Sequence, residues 1–264
     1  MASSLSAVIA AAGAGRRYGG LGQLQDKVGG KSVLSHSLDV FEADEDCSEI
    51  ILVVSAEVRA WIAGDPLTFA SGKLKLVDGG ETRADSIAAG ARAAQGELLA
   101  LHDGNRPNIS EALLARLKAT VLPERGAVPG LMLTDGVAYL TAIGDPESGN
   151  GSQAPVDELF GGKKTDHRLG HLMEHVDPSA LHLLQTPQLY YRESYLQALD
   201  NVGADLGGFA DDSAIYLAGG YEVAVVPGPR GNIKVVTPAD LRLLLKLMGG
   251  GTRKKKDKYG GLGW

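Results

Sequence analysis

The 264-residue chain has one cysteine, Cys47. It can close no disulfide within the chain and has no thiol partner for a zinc site, so it reads as a structural or surface thiol in a reducing compartment. Positive charge is not in excess either: 26 Lys and Arg stand against 32 Asp and Glu, for a formal net charge of −6. That balance argues against bulk electrostatic binding of nucleic acid. No apolar run approaches the ~20 residues of a membrane span. The opening MASSLSAVIAAAGAG lacks a basic stretch ahead of its apolar residues and reads as a first strand, not as a signal peptide. Two familiar phosphate signatures are missing as well. There is no G-x-x-x-x-G-K-[ST] loop, and the second strand, EIILVVS (49–55), ends in Ser55 where a dinucleotide fingerprint needs an acid.

What is present begins with AVIAAAGAGRRYGG (7–20). Val8 and Ile9 suit a buried parallel strand, and Ala10, Ala11 and Ala12 let backbone approach closely. Gly13 and Gly15 can turn the chain and leave N–H groups facing an anion, while Arg16 and Arg17 add planar cationic forks. The next apolar-periodic segment starts only near Ser32, so the loop is long and basic, suited to a triphosphate and a leaving pyrophosphate. The plainer reading is an ordinary strand-to-helix turn.

With 44% hydrophobic residues the chain can bury one large core. Strand and helix patterns alternate along it. A helix over 31–43 is followed by EIILVVS, a short helix near 56–63, KLKLVDGG (73–80), a helix over 82–94, ELLALHD (97–103) and a helix over 109–121. Such alternation predicts an α/β fold with parallel crossovers. AAGAGRR, VDGGETRADS and LHDGNRP all fall at strand ends, where open sheets bind ligands. From 142 to 164 the pattern dissolves into glycine, serine and polar residues, a functional excursion or disorder. Order resumes with LLQTPQLYY (183–191), a helix over 192–200, ADDSAIYLAGG (210–220), the strand YEVAVVPG (221–228), NIKVVT (232–237) and a last helix from Pro238, capped by Thr237. GGGTRKKKDKYGGLGW (249–264) reads as a flexible basic tail.

The ordered series AAGAGRR, VDGGETRADS, LHDGNRP, LLQTPQ, DDSA and GNIKVVTPADL, spanning residues 6 to about 247, resembles the 2-C-methyl-D-erythritol 4-phosphate cytidylyltransferases. The resemblance implies a Rossmann-like, mostly parallel sheet with helices on both faces over residues 1–248, and a protruding β-arm over about 137–184 that joins two subunits into a homodimer. It implies transfer of CMP from CTP to a small phosphorylated polyol with Mg²⁺ and release of pyrophosphate, while length and composition fit a cytoplasmic enzyme without nucleic acid or membrane as partner.

Residue by residue, the resemblance lays Ala11, Ala12, Gly13 and Gly15 along the nucleotide and Arg17 on the triphosphate. Gly80, Glu81, Arg83 and Ser86 fall where the family recognises or supports the cytosine. Asp103 matches the metal-binding acid of an H-D-A-A-R-P motif whose alanines are here Gly104 and Asn105. For Asp103 the plainer roles are a helix cap or a partner for Arg106. Lys234 matches a phosphate-contacting lysine, and Asp135 and Thr186 fall on the acceptor side. There are departures. Gly22, Gln23 and Leu24 stand where the family has Pro-Lys-Gln, which leaves Lys27 as a candidate replacement for the lost lysine. Gly136 replaces a substrate-side threonine, Pro178 aligns with the arginine sent across the dimer, and Ala210 replaces the threonine of T-D-D-A-S. The nucleotide half is kept while the acceptor half is eroded. A working cytidylyltransferase is therefore the first reading, beside a nucleotidyltransferase with a changed acceptor or a catalytically impaired paralogue in a regulatory or structural role.

His102 is expected to be a hydrogen-bonded strand-end histidine. His167, His171 and His175, spaced by four, would share one polar helical face in the arm.

Overall fold

The computed structural model describes residues 3–13, 15, 18–65, 69, 71–142 and 170–249. The tail beyond Gly249, the glycine-rich stretch 146–163, His167, Arg16 and Arg17 lie outside them. The chain forms two units, one of 1–131 with 184–264 and one of 132–183.

The larger unit begins with β1 (Leu5–Ala11), α1 (Gly22–Gln25), β2 (Lys27–Val28), β3 (Lys31–Ser32), α2 (Val33–Ala43), β4 (Cys47–Val54), α3 (Ala56–Gly64) and β5 (Leu74–Asp78). It continues with α4 (Arg83–Ala93), β6 (Leu98–Asp103), α5 (Glu111–Lys118) and β7 (Arg125–Met132), whose last residue enters the smaller unit. The smaller unit carries β8 (Val137–Ala142) and β9 (Gly170–Val176), an antiparallel pair, and β10 (His182–Leu184) marks the return. The chain then closes with β11 (Gln188–Tyr191), α6 (Arg192–Val202), α7 (Asp212–Ala218), β12 (Glu222–Pro227) and α8 (Pro238–Met248).

The central sheet of the larger unit runs β7-β11-β6-β1-β4-β5, with β12 beside β7. The β1–β4, β1–β6, β4–β5 and β7–β12 pairs are parallel, and β11 is antiparallel to β6 and β7. Strands so deeply placed need side chains that satisfy both faces, and the β-branched runs supply them. Ile50, Leu52 and Val54 of β4 pack with α2, α3 and α5, while Ile51 and Val53 pack on the opposite face with α4, α6 and α7. The result is a mostly parallel α/β sheet covered on both faces. Gly90 lets α4 approach closely, since a Cβ there would sit 2.4 Å from Cγ1 of Val8.

Side-chain caps fix the helix starts. Thr82 and Asp85 form a capping box on α4, and Thr237 and Asp240 form another on α8 with Pro238 in its first turn. Cys47 is buried, and burial pushes its thiol up to about 11.

Three expectations are corrected. The stretch between Gly20 and Ser32 holds α1 and the β2–β3 hairpin, because Val28 and Leu24 find apolar cover there. The histidine-bearing segment is not helical over Gly170–Val176. It is strand β9, since pairing with β8 satisfies its backbone. NIKVVT forms no regular element, because Val235 pairs its N–H with the carbonyl of Asn105 instead of a strand neighbour.

Candidate active site

The sheet order reverses beside β1: β4 and β5 lie on one side, and the chain then crosses to β6 on the other. Open sheets leave a crevice outside the carboxyl ends of the strands at such a switch point. A cleft of about 780 Å³ occurs there. Ala10 of β1 sits beside Asp103 of β6, so the glycine loop and the acid emerge together.

On the first wall, the N–H groups of Tyr18, Gly19 and Gly20 all donate to the carbonyl of Gly15, at 2.8, 3.0 and 3.1 Å. Gly15 has φ +58° and a Cβ there would lie 1.9 Å from the Gly20 carbonyl oxygen, so only glycine closes this loop. On the second wall, the Ser86 hydroxyl accepts the Gly80 N–H at 3.1 Å and donates to the Thr82 carbonyl at 2.9 Å. These bonds, with the Thr82–Asp85 box, shape the GGET turn before α4.

Asp103 is the electrostatic centre. Its side chain is 6% exposed, yet three cations meet it: Arg83 Nε on Oδ1 at 2.8 Å, and Lys234 Nζ and Arg106 Nε on Oδ2 at 2.9 and 3.1 Å. Burial alone would raise its pKa, but Arg83, Lys234 and Arg106 win and hold it well below the usual carboxylate range. Arg83 reaches further. Its Nη2 donates to Oδ2 of the buried Asp212 at 2.9 Å. Burial opposes the Arg83 charge, but Asp212 and Asp103 outweigh it and raise the pKa above the ordinary arginine value. The buried Asp212 is pushed up by desolvation against the pull of Arg83. Arg106 also donates to the Asn232 carbonyl at 3.0 Å. Asn105 ties in the Lys234 segment by giving its amide to the Val235 carbonyl at 2.6 Å.

Beneath Asp103 lies a closed polar relay. The Asp103 N–H donates to Thr186 Oγ1 at 3.1 Å, Thr186 lies 2.9 Å from His102 Nδ1, and His102 Nε2 lies 3.1 Å from the Arg106 carbonyl. The carbonyl requires the proton on Nε2, so the Thr186 hydroxyl donates to Nδ1. Burial pushes the His102 pKa down to about 3, so the ring is neutral.

The structure therefore brings Ala11, Ala12, Gly13 and Gly15 onto one cleft with Gly80, Glu81, Arg83 and Ser86, and adds Asp103 and Lys234. Other candidates lie elsewhere. Lys27 is exposed on β2 and is not on the cleft wall, which carries Gln23 instead. Thr186 is buried, with its hydroxyl engaged below the floor. Asp135 belongs to the smaller unit, where it is exposed. Asp212 is the site residue that sequence reasoning missed. Its only signal was the acidic pair of DDSA at a helix start.

No helix among the described residues is long and apolar enough to cross a membrane. The fold, and a basic strand-end cleft at the switch point, place the chain among the Rossmann-like nucleotidyltransferases. The model of the 2-C-methyl-D-erythritol 4-phosphate cytidylyltransferase (IspD) family matches residues 5–145 and 154–248, and the chain belongs to that family. It is 32% identical over 247 residues to the 2-C-methyl-D-erythritol 4-phosphate cytidylyltransferase of Cereibacter sphaeroides, covering 92% of this chain and 96% of that one. The enzyme of the same name from Phocaeicola vulgatus is 30% identical over 240 residues, covering 89% and 95%. Among solved structures, 4-diphosphocytidyl-2C-methyl-D-erythritol synthase from Anaerococcus prevotii shares the fold with a TM-score of 0.71 at 24% identity, over 94% of this chain and 97% of that one.

Proposed function

We propose that this chain transfers CMP from CTP to 2-C-methyl-D-erythritol 4-phosphate. A phosphate oxygen of the acceptor attacks the α-phosphorus of CTP, the bond from that phosphorus to the bridging oxygen breaks, and pyrophosphate leaves. The observation that carries this reading is the convergence of three strand-end motifs on one cleft, in a chain of this family. Phosphoryl-type transfers rest on positioning and charge stabilisation, and the cleft offers both. The glycine loop and the GGET turn are rigid walls for a nucleoside, and Lys234 and Arg83 are cations exposed to the cleft. Arg17 on the triphosphate, Asp135 on the acceptor side and a cytoplasmic homodimer joined through the arm belong to the same proposal. Thr186 serves it from below, by orienting the Asp103 backbone. Asp103 is outnumbered by the three cations paired with it, so pyrophosphate or a triphosphate supplies the missing negative charge.

Magnesium belongs to this proposal too. Mg²⁺ is typically held by one or two carboxylates together with substrate phosphates. Asp103 is one such carboxylate, and among the described residues no group of three or more His, Cys, Asp or Glu forms a protein-only cage. The donor set thus fits a metal that arrives with the nucleotide, with Asp103 as its protein ligand. The metal would neutralise charge on the triphosphate.

The test is pyrophosphate release from CTP, Mg²⁺ and 2-C-methyl-D-erythritol 4-phosphate, run beside a titration of CTP alone. Release with binding is expected. Binding without release would favour the impaired paralogue instead.

A further inference from the structure

We propose that Asp212 is a positioning residue that divides the Arg83 guanidinium between two carboxylates and so keeps Oδ2 of Asp103 available from the cleft to a nucleotide-borne metal. The proposal rests on the use of CTP with a divalent metal argued above. Asp212 has no exposed surface and is not on the cleft wall; of its side-chain partners, Tyr195 and Arg83, only Arg83 lines the cleft, and through it Asp212 reaches the site.

An arginine facing a lone carboxylate tends to close on it with two parallel N–H bonds, one to each oxygen. The Nε–Nη2 edge of Arg83 is such a fork, and here it is split. Nε meets Oδ1 of Asp103 at 2.8 Å, while Nη2 is drawn to Oδ2 of Asp212 at 2.9 Å. Asp212 is well placed to hold it. It is the first residue of α7, next to the N-cap Asp211, which accepts from the Ser213 N–H at 2.9 Å and from Gln188 Nε2 at 3.0 and 2.9 Å.

The consequence falls on Oδ2 of Asp103, whose partners are Arg106 and Lys234. Arg106 is 12% exposed and also anchored on the Asn232 carbonyl. Lys234 is 39% exposed and lines the cleft, so it can turn toward a phosphate and leave Oδ2 to the metal. Without the Asp212 charge, Nη2 is free to close on Oδ2, and the arginine then occupies the place that Lys234 can vacate.

Thermal melts of the full chain with CTP, in EDTA and in Mg²⁺, test this through the gain in CTP affinity that Mg²⁺ brings, with each variant referred to its own ligand-free midpoint. In Asp212→Asn that gain should be about tenfold smaller than in wild type, the size of one charge-assisted contact. Its CTP affinity in EDTA should stay within about threefold of wild type, because the cationic wall is intact. Arg83→Lys provides a second arm if Asp212→Asn folds poorly: a single ammonium cannot close a fork, so the Mg²⁺ gain should survive within about threefold even where CTP itself binds more weakly. An undiminished gain in Asp212→Asn, or a lost gain in Arg83→Lys, would overturn the positioning role alone. A wild type that ignores CTP in both buffers would overturn the proposed function and this role with it.

Discussion

Replacing Asp103 by Asn removes the one negative charge that Arg83, Arg106 and Lys234 share. Removing one partner of a buried ion pair costs about 3 to 5 kcal/mol. The lower end applies here, because Arg83 keeps Asp212, Arg106 keeps the Asn232 carbonyl, and Lys234, at 39% exposed, is largely screened by water. Asp103→Asn should therefore lose about 3 kcal/mol in urea unfolding at pH 7 in EDTA. The cleft it leaves is a stronger anion site, so pyrophosphate should bind the variant more tightly than wild type. At a hundredfold its dissociation constant it returns about 2.7 kcal/mol. The pH dependence has a definite sign. The folded pKa of Asp103 is depressed, so its contribution is complete above the ordinary carboxylate range near 4 and is lost as pH falls below it. The gap between the two proteins should be constant from about pH 8 to 5 and close in stronger acid. A variant as stable as wild type to within about 0.5 kcal/mol, or one that pyrophosphate stabilises no more than wild type, would refute the idea that Asp103 holds three cations together.

Gln23 lines the cleft, at the position where the resemblance expects a lysine, so Gln23→Lys should raise kcat for CMP transfer at least about tenfold, since one transition-state donor is worth roughly 10² to 10³. Lys27→Ala should change nothing, and a large loss would return Lys27 to the site. His102, neutral when folded with a pKa of about 3, makes the unfolded state the better proton binder, so ligand-free stability should fall on acidification through pH 6.5, with a slope that approaches about 1.4 kcal/mol per pH unit near pH 5. His102→Gln should remove that slope between pH 6.5 and 5, and an unchanged slope would assign it to other groups. Light scattering at micromolar concentration should give twice the 27.5 kDa chain mass, and a monomer mass would reject the dimer.

The parallel part of the sheet was readable because its strands are continuous β-branched runs bounded by glycine motifs, as in EIILVVS. The glycine loop, the GGET turn and the D-G-N-R-P acid were readable for a related reason: each ends a strand, and strand ends at a switch point converge. The β2–β3 hairpin was not, since two residues on each side carry no periodicity. β9 was misread because spacing by four puts residues on one side of a strand as well as of a helix, and only pairing with β8 decides between them. Asp212 stayed hidden because its importance comes from Arg83, 129 positions away. No local pattern encodes that distance. Thr186 was assigned to the acceptor by its motif, while packing turned its hydroxyl toward His102.

Lys234 owes its place more to hydrogen bonds than to apolar packing. Val235 and Leu244 share a small apolar cluster with Val28 and Val33, apart from the two large clusters that hold the sheet. Around it, Asn105, Arg106 and Asn108 grip residues 231–235 through backbone carbonyls. A segment held in this way can open without the sheet unfolding. In hydrogen exchange, α8 and the Val235 amide should then form a separate, earlier-opening group. The same opening carries Lys234 away from the cleft it lines, so the proposed turnover should fail at elevated temperature with the anchoring of the last helix, well below the temperature at which the sheet itself melts.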